Sequence, residues 1–291
     1  MKNHFFVRTS SWLELTKFKL SFAVALSPVA GYFMFGQIKG DSLFGVFAGT
    51  LLLALGVAAL NQYQERHSDS MMDRTRNRPI PSGEISSKET RWTVIMLLIL
   101  GTVVLGLTTT WVTTALGLIT AAWYNLVYTP LKKRSAFAVI PGGVCGALPP
   151  VMGWTAAGGE LLHPKIVVLS LFFFVWQIPH FWLILLKYGQ EYTKAGLPSV
   201  TAIWNQKQLK GITFIWMLTT GVSALLLPAL EMISVGILKI LLVVFTFTYF
   251  YFTYQSLYKS GSKVNFRMAF IAINMFLISV MLLLIVQQFL K

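Results

Sequence analysis

A stretch of about 20 apolar residues is the length at which a helix crosses the hydrocarbon core of a bilayer, and this chain carries nine such stretches in succession. They run over residues 17–35, 43–62, 90–110, 111–128, 137–157, 164–187, 209–229, 233–257 and 268–289. Inside lipid the backbone finds no water to bond, so each stretch has to be helical. Hydrophobic residues make up 55% of the 291 and charged residues only 12%, more apolar surface than a soluble core absorbs. The expected fold is therefore all-α and integral to the membrane. Nine transmembrane helices form one bundle, a single domain over residues 1–291, with no soluble domain, internal repeat or low-complexity linker. Only a Thr-rich turn at 108–114 separates the third and fourth stretches.

A formal charge of +14 raises the question of nucleic acid, and the charge distribution answers it in the negative. The cations sit in short loops, where anionic lipid headgroups and the positive-inside bias account for them. With the N-terminus inside, the inner loops hold all of the 24 Lys and Arg residues except Lys39, Lys165, Lys239 and Lys291. The expected topology has a cytoplasmic N-terminus and an external C-terminus. One cysteine, Cys145, allows no disulfide within the chain. The start shows neither a cleavable signal-peptide pattern nor an Arg-rich amphipathic presequence, so a bacterial plasma membrane is the expected location, with membrane lipids as partners.

The polar residues that packing does not explain follow the second stretch, where 61–83 reads NQYQERHSDSMMDRTRNRPIPSG. Asn61, Glu65 and Asp69 fall at i, i+4 and i+8. On a helix those positions drift only ~40° per step, so three oxygen-bearing side chains share one face. Arg74, Arg76 and Arg78 then crowd around Thr75 before the stop at Pro79-Ile80-Pro81. Mixed charge is ordinary where a helix emerges among headgroups. Carboxylates directly beside an arginine cluster better suit Mg²⁺, which binds through one or two carboxylates plus the phosphate oxygens of a substrate.

Two more polar clusters, YTPLKKR at 128–134 and HFWLILLKYGQEYTKAG at 180–196, belong to the same membrane side. A single active site at the cytoplasmic mouth of the bundle is the expectation. Its chemistry suits an allylic diphosphate, because metal and basic side chains neutralise a departing diphosphate without any protein nucleophile. The resulting carbocation needs a dry, aromatic-lined chamber. The fifth stretch holds PGGVCGALPPVMGW at 141–154. Its glycines permit close helix contact. Pro149-Pro150 is expected to kink or break the span, as a packing groove or as an unwound segment lining a cavity.

Together, the nine spans, Asn61-x-x-x-Glu65-x-x-x-Asp69 and Arg74-Thr75-x-x-Arg78-Pro79 resemble the UbiA-type intramembrane prenyltransferases. YTPLKKRS at 128–135, GALPPVMGW at 146–154 and WQIPHFW at 176–182 narrow the resemblance to the branch that farnesylates haem. The motifs cover 61–196, nearly half the chain. The resemblance implies that farnesyl diphosphate ionises, that a vinyl group of haem B attacks the farnesyl cation, and that water adds at the neighbouring carbon. It assigns Asn61, Glu65 and Asp69 to Mg²⁺ and diphosphate, and Arg74, Arg78, Lys132 and Arg134 to the phosphate oxygens. Tyr128, Gln177, His180 and Glu191 are the expected remaining substrate contacts, with haem B as substrate and proteins of haem modification or oxidase assembly as partners.

The chain departs from the family where many members carry a second Asp-rich motif, offering only His180, Glu191 and Tyr192. One Mg²⁺ plus basic residues, and a haem contact by His180, are the consequences. Three other readings compete: prenylation of an aromatic acid for quinone synthesis, a haem-handling protein without catalysis, and a transporter. A transporter's polar groups belong near the bilayer midplane, and these cluster at one face.

Overall fold

A computed structural model describes residues 2–36, 39–194, 196–259 and 264–290, with side chains from residue 9 onward. Lys291, one of the four cations expected outside, lies beyond the described residues. The described elements are helical throughout. They are α1 (Lys2–Leu15), α2 (Phe18–Phe35), α3 (Gly40–Ser70), α4 (Ser87–Thr108), α5 (Trp111–Ala122), α6 (Thr129–Leu131) and α7 (Val139–Gly142). After these come α8 (Val144–Ala156), α9 (Pro164–Lys194), α10 (Val200–Ile203), α11 (Gln206–Ala224), α12 (Gly236–Tyr254) and α13 (Phe266–Phe289).

Local chemistry starts several of these helices where the loops end. Ser86 and Glu89 form a reciprocal capping box on α4, and Asn205 and Gln208 form another on α11. Thr110 caps α5 through the Thr113 N–H, so the Thr-rich turn does separate two helices. The polar leader also folds. Gln62 Nε2 donates to the Glu14 and Leu15 carbonyls at 2.7 and 3.1 Å, tying the end of α1 to α3. Leu15 is buried there with Ala59, Ile85 and Val94.

Among the described residues, seven helices are long and apolar enough to cross a membrane. The fourth and fifth expected spans are instead built in pieces. Between α5 and α6 the chain makes a π-helical turn over Trp123–Tyr128. Pro130, with no N–H and a bulky ring, is the sequence feature that disturbs regular α-helix here. The fifth span is interrupted at Gly143, between α7 and α8. The break expected at Pro149-Pro150 is absent, since α8 runs through both prolines. Neighbouring helices hold that segment instead. The Gly153 Cα abuts the Pro28 carbonyl of α2, and the Gly31 Cα abuts Pro150, leaving no room for a Cβ at either glycine.

The helices close into a ring. α2, α3 and α4 pack in sequence, α5 joins them to α8, and α9, α11, α12 and α13 continue around until α13 returns to α2. α8 also packs against α2 and α3, across this ring. The decisive extension is at α3. It continues past the expected end at 62 to Ser70, so Asn61, Glu65 and Asp69 stand on one uninterrupted helix.

Candidate active site

Asn61, Glu65 and Asp69 are 1%, 4% and 1% exposed, so the face of α3 they share looks into the protein. Each meets a cation from a different segment. Lys17 Nζ donates to Asn61 Oδ1 at 2.9 Å. Lys132 forms an ion pair with Glu65 Oε1. Arg78 Nη1 donates to both oxygens of Asp69, at 2.8 and 2.7 Å. Charges this buried are expensive unless paired; Lys132 and Arg78 supply the counter-charge of Glu65 and Asp69, while Lys17 meets a neutral amide.

The segments are themselves tied down. Thr75 is buried and donates to the Asp69 carbonyl at 2.9 Å, turning 71–78 back so that Arg78 reaches Asp69. The Arg74 N–H donates to Glu191 Oε2 at 3.3 Å, and the Arg74 guanidinium lies 5.2 Å from the Tyr188 ring centre. Those contacts dock the end of α9 on the arginine segment. Arg74 is exposed and takes no part in the three pairs. Arg76 pairs with Asp73, both largely exposed.

Lys17 was not anticipated from sequence. It joins α1 to α2 in a left-handed conformation, φ 46° and ψ 48°, which non-glycine residues adopt at a cost. Burial, then the Arg78 and Lys132 charges, push its amine down to about 7. A lysine at the foot of a membrane helix usually reads as a topology signal, and nothing local marks this one otherwise. Thr129 was also missed. Its hydroxyl donates to the Tyr124 carbonyl at 2.9 Å and accepts from Asn61 Nδ2 at 3.2 Å.

An aromatic path leads away from the pairs. The Tyr128 ring, 7% exposed, lies 5.9 Å from Lys132 Nζ and 5.9 Å from the Phe181 ring. Phe181 contacts His180 at 5.9 Å, and His180 sits between Trp176 at 4.8 Å and Phe270 at 4.7 Å. His180 Nδ1 is buried with no hydrogen-bond partner. Gln177, one turn away on α9, presses its amide oxygen against Gly146 of α8. Arg134 is exposed and stands outside the three pairs. Lys133 donates to the Gln64 carbonyl at 3.1 Å.

Among the described residues no group of three or more His, Cys, Asp or Glu side chains converges. The donor set of two carboxylates and one amide oxygen still fits a single Mg²⁺, a hard cation that takes oxygen ligands and completes its shell with water and phosphate. Glu65 and Asp69 would supply the charge and Asn61 the neutral oxygen.

Comparison with known proteins addresses the chain as a whole. The model of the UbiA prenyltransferase family matches residues 21–280. A protoheme IX farnesyltransferase of Oleidesulfovibrio alaskensis is 35% identical over 275 residues, covering 94% of this chain and 95% of that protein. One from Geobacter sulfurreducens is 38% identical over 223 residues, covering 76% and 82%. Among solved structures, a digeranylgeranylglyceryl phosphate synthase aligns with TM-score 0.74 at 18% identity, covering 98% of this chain and 99% of that one. A UbiA homolog from Archaeoglobus fulgidus bound to GPP and Mg²⁺ aligns with TM-score 0.70 at 18% identity, covering 96% and 98%.

Proposed function

The chain belongs to the UbiA prenyltransferase family, and from that premise we propose that it transfers the farnesyl group of farnesyl diphosphate to a vinyl group of haem B, making haem O for terminal oxidase assembly. The observation that carries the proposal is the set of three cations, Lys17, Lys132 and Arg78, each on one oxygen-bearing side chain of a single buried helix face. Similarity to haem farnesyltransferases over most of the chain supports the choice of acceptor.

The residues divide the work by charge. Lys17, Lys132 and Arg78 turn to the diphosphate, where their charge stabilises the departing oxygen as the allylic carbon–oxygen bond breaks. Arg74 and Arg134 stand at the edge of the cluster and draw the anionic substrate toward it. Asn61, Glu65 and Asp69 would hold Mg²⁺, which when bound would supply Lewis-acid neutralisation of the diphosphate. The electron-poor carbon then faces the rings of Tyr128 and Phe181, whose π faces stabilise a cation and whose packing excludes water. At the far end of the path the acceptor vinyl group attacks that carbon, a carbon–carbon bond forms, and water adds to the neighbouring carbon with loss of a proton. His180 and Gln177 hold the haem there, by its iron or its edge, and Glu191 keeps the arginine segment closed through the Arg74 N–H.

In this reading the pieces α5–α6 and α7–α8 each complete a crossing, which makes nine, and the site opens at the cytoplasmic mouth of a bundle in a bacterial plasma membrane. The charge asymmetry of the loops supports a cytoplasmic N-terminus and an external C-terminus. A reporter fused after Lys291 should report as external and one inserted at Ser82 as cytoplasmic; the opposite pattern overturns the orientation. The reaction is tested by mass analysis of haem from membranes with and without this chain, and by purified protein given haem B, farnesyl diphosphate and Mg²⁺. Haem gaining one farnesyl group and one hydroxyl group is the expected product. A prenylated aromatic acid, with haem unchanged, would overturn the assignment.

A further inference from the structure

The geometry points to Thr129 as a positioning residue that sets which edge of the Asn61 amide faces the metal site; the inference rests on the proposed function of that site. Amide oxygen and nitrogen are close in size, so a ligand amide in a polar pocket needs something to choose its orientation. Here two constraints agree. A threonine hydroxyl has one proton, and the Tyr124 carbonyl can only accept, so that proton is committed at 2.9 Å. Thr129 Oγ1 is then left as an acceptor, and what meets it at 3.2 Å has to be the Asn61 NH₂ group. On the opposite edge Lys17, in its ammonium form, has only donors to offer, and the atom it then meets at 2.9 Å is Oδ1. The oxygen of Asn61 is thereby turned toward the cations before any ligand arrives.

Thr129 reaches this position through the π-helical turn over Trp123–Tyr128, a kind of helix irregularity that often marks functional sites. The turn is locked to α3 by a second amide. Asn125 Nδ2 donates to Gln64 Oε1 at 3.1 Å, while Gln64 Nε2 donates back to the Asn125 carbonyl at 3.0 Å. Thr129 itself is 1% exposed, and its position beside Asn61 leaves it no role at the protein surface.

The test measures Mn²⁺ binding by electron paramagnetic resonance on the full chain in lipid nanodiscs, with Mn²⁺ as the probe for the Mg²⁺ site. Thr129→Ser keeps the hydroxyl and should bind within about twofold of the unaltered chain. Thr129→Val keeps the shape and loses the acceptor, and should bind about tenfold more weakly, the usual loss when a residue behind a metal ligand is removed. In an Asn61→Ala background Thr129→Val should cost nothing further, because the amide it orients is gone. Equal affinity for Thr129→Val and the unaltered chain would overturn the inference, and so would a tenfold loss that persists without Asn61. If the valine variant does not fold, Thr129→Ala runs the same cycle. An unaltered chain that binds no Mn²⁺ at all would overturn the metal reading itself, an outcome distinct from either.

Discussion

The two ends of the aromatic path hold their polar groups in opposite ways. On α3, Glu65 and Asp69 are buried opposite Lys132 and Arg78, and Asn61 opposite Lys17. On α9, His180 is boxed by Trp176 and Phe270 with Nδ1 buried and unpartnered. The difference matches the two substrates proposed for them. A diphosphate brings several negative charges, and the site keeps at hand the cations that turn to meet it. A haem brings a flat apolar ring and an iron that accepts a nitrogen lone pair, and a histidine with no protein partner on one nitrogen is free to meet it. An unpaired buried polar atom is uncommon in a folded protein, so the contrast is chemically informative.

Substitution at the α3 end should have the largest effect. Glu65→Gln and Asp69→Asn preserve shape but remove charge, and each should cost on the order of 1,000-fold in turnover, near the upper range for losing one preorganised electrostatic contact. Haem O formation by purified variants measures this, and activity close to the unaltered chain would remove the pair from the mechanism. Next comes Arg78→Lys, expected to lose about 100-fold because one Nη already serves both Asp69 oxygens and an ammonium lacks the guanidinium's remaining donors for the diphosphate. Full activity in the lysine variant would mean that only net charge matters at that position.

The α9 end should respond more gently and more selectively. His180→Ala removes one contact, worth roughly 1.4 kcal/mol, and should weaken haem use about tenfold while farnesyl diphosphate affinity stays unchanged. Haem absorbance and the separate KM values for the two substrates check this; equal losses for both would erase the division between the ends. Smallest of all is Lys133→Ala. Lys133 is exposed and meets only the Gln64 carbonyl, so activity should stay within about twofold.

Much of this protein is readable without coordinates. Asn61, Glu65 and Asp69 are visible because a helix repeats nearly every fourth residue, and Arg78 and Lys132 because each sits in a short charged stretch between apolar runs. Lys17 and Thr129 escaped for the same physical reason. Neither is near Asn61 in the chain, and an isolated lysine or threonine at the end of a span has many ordinary uses. The prolines misled in the other direction. Pro149-Pro150 reads as a helix break, yet close packing against Pro28 and Gly31 of α2 keeps α8 continuous, and the interruption falls at Gly143.

The amino-acid sequence by itself determined that the chain is helical and apolar enough to lie in a membrane, because backbone groups in lipid have no alternative to internal hydrogen bonds. It also determined that one helix face carries three oxygen-bearing side chains, because that follows from local periodicity alone. Only the tertiary structure decided which cation meets which ligand, where the π-helical turn delivers Thr129, and how His180 is enclosed. Those depend on contacts between residues far apart in the chain, such as Lys17 with Asn61 and His180 with Phe270, and no local pattern encodes the distance between helices that packing sets.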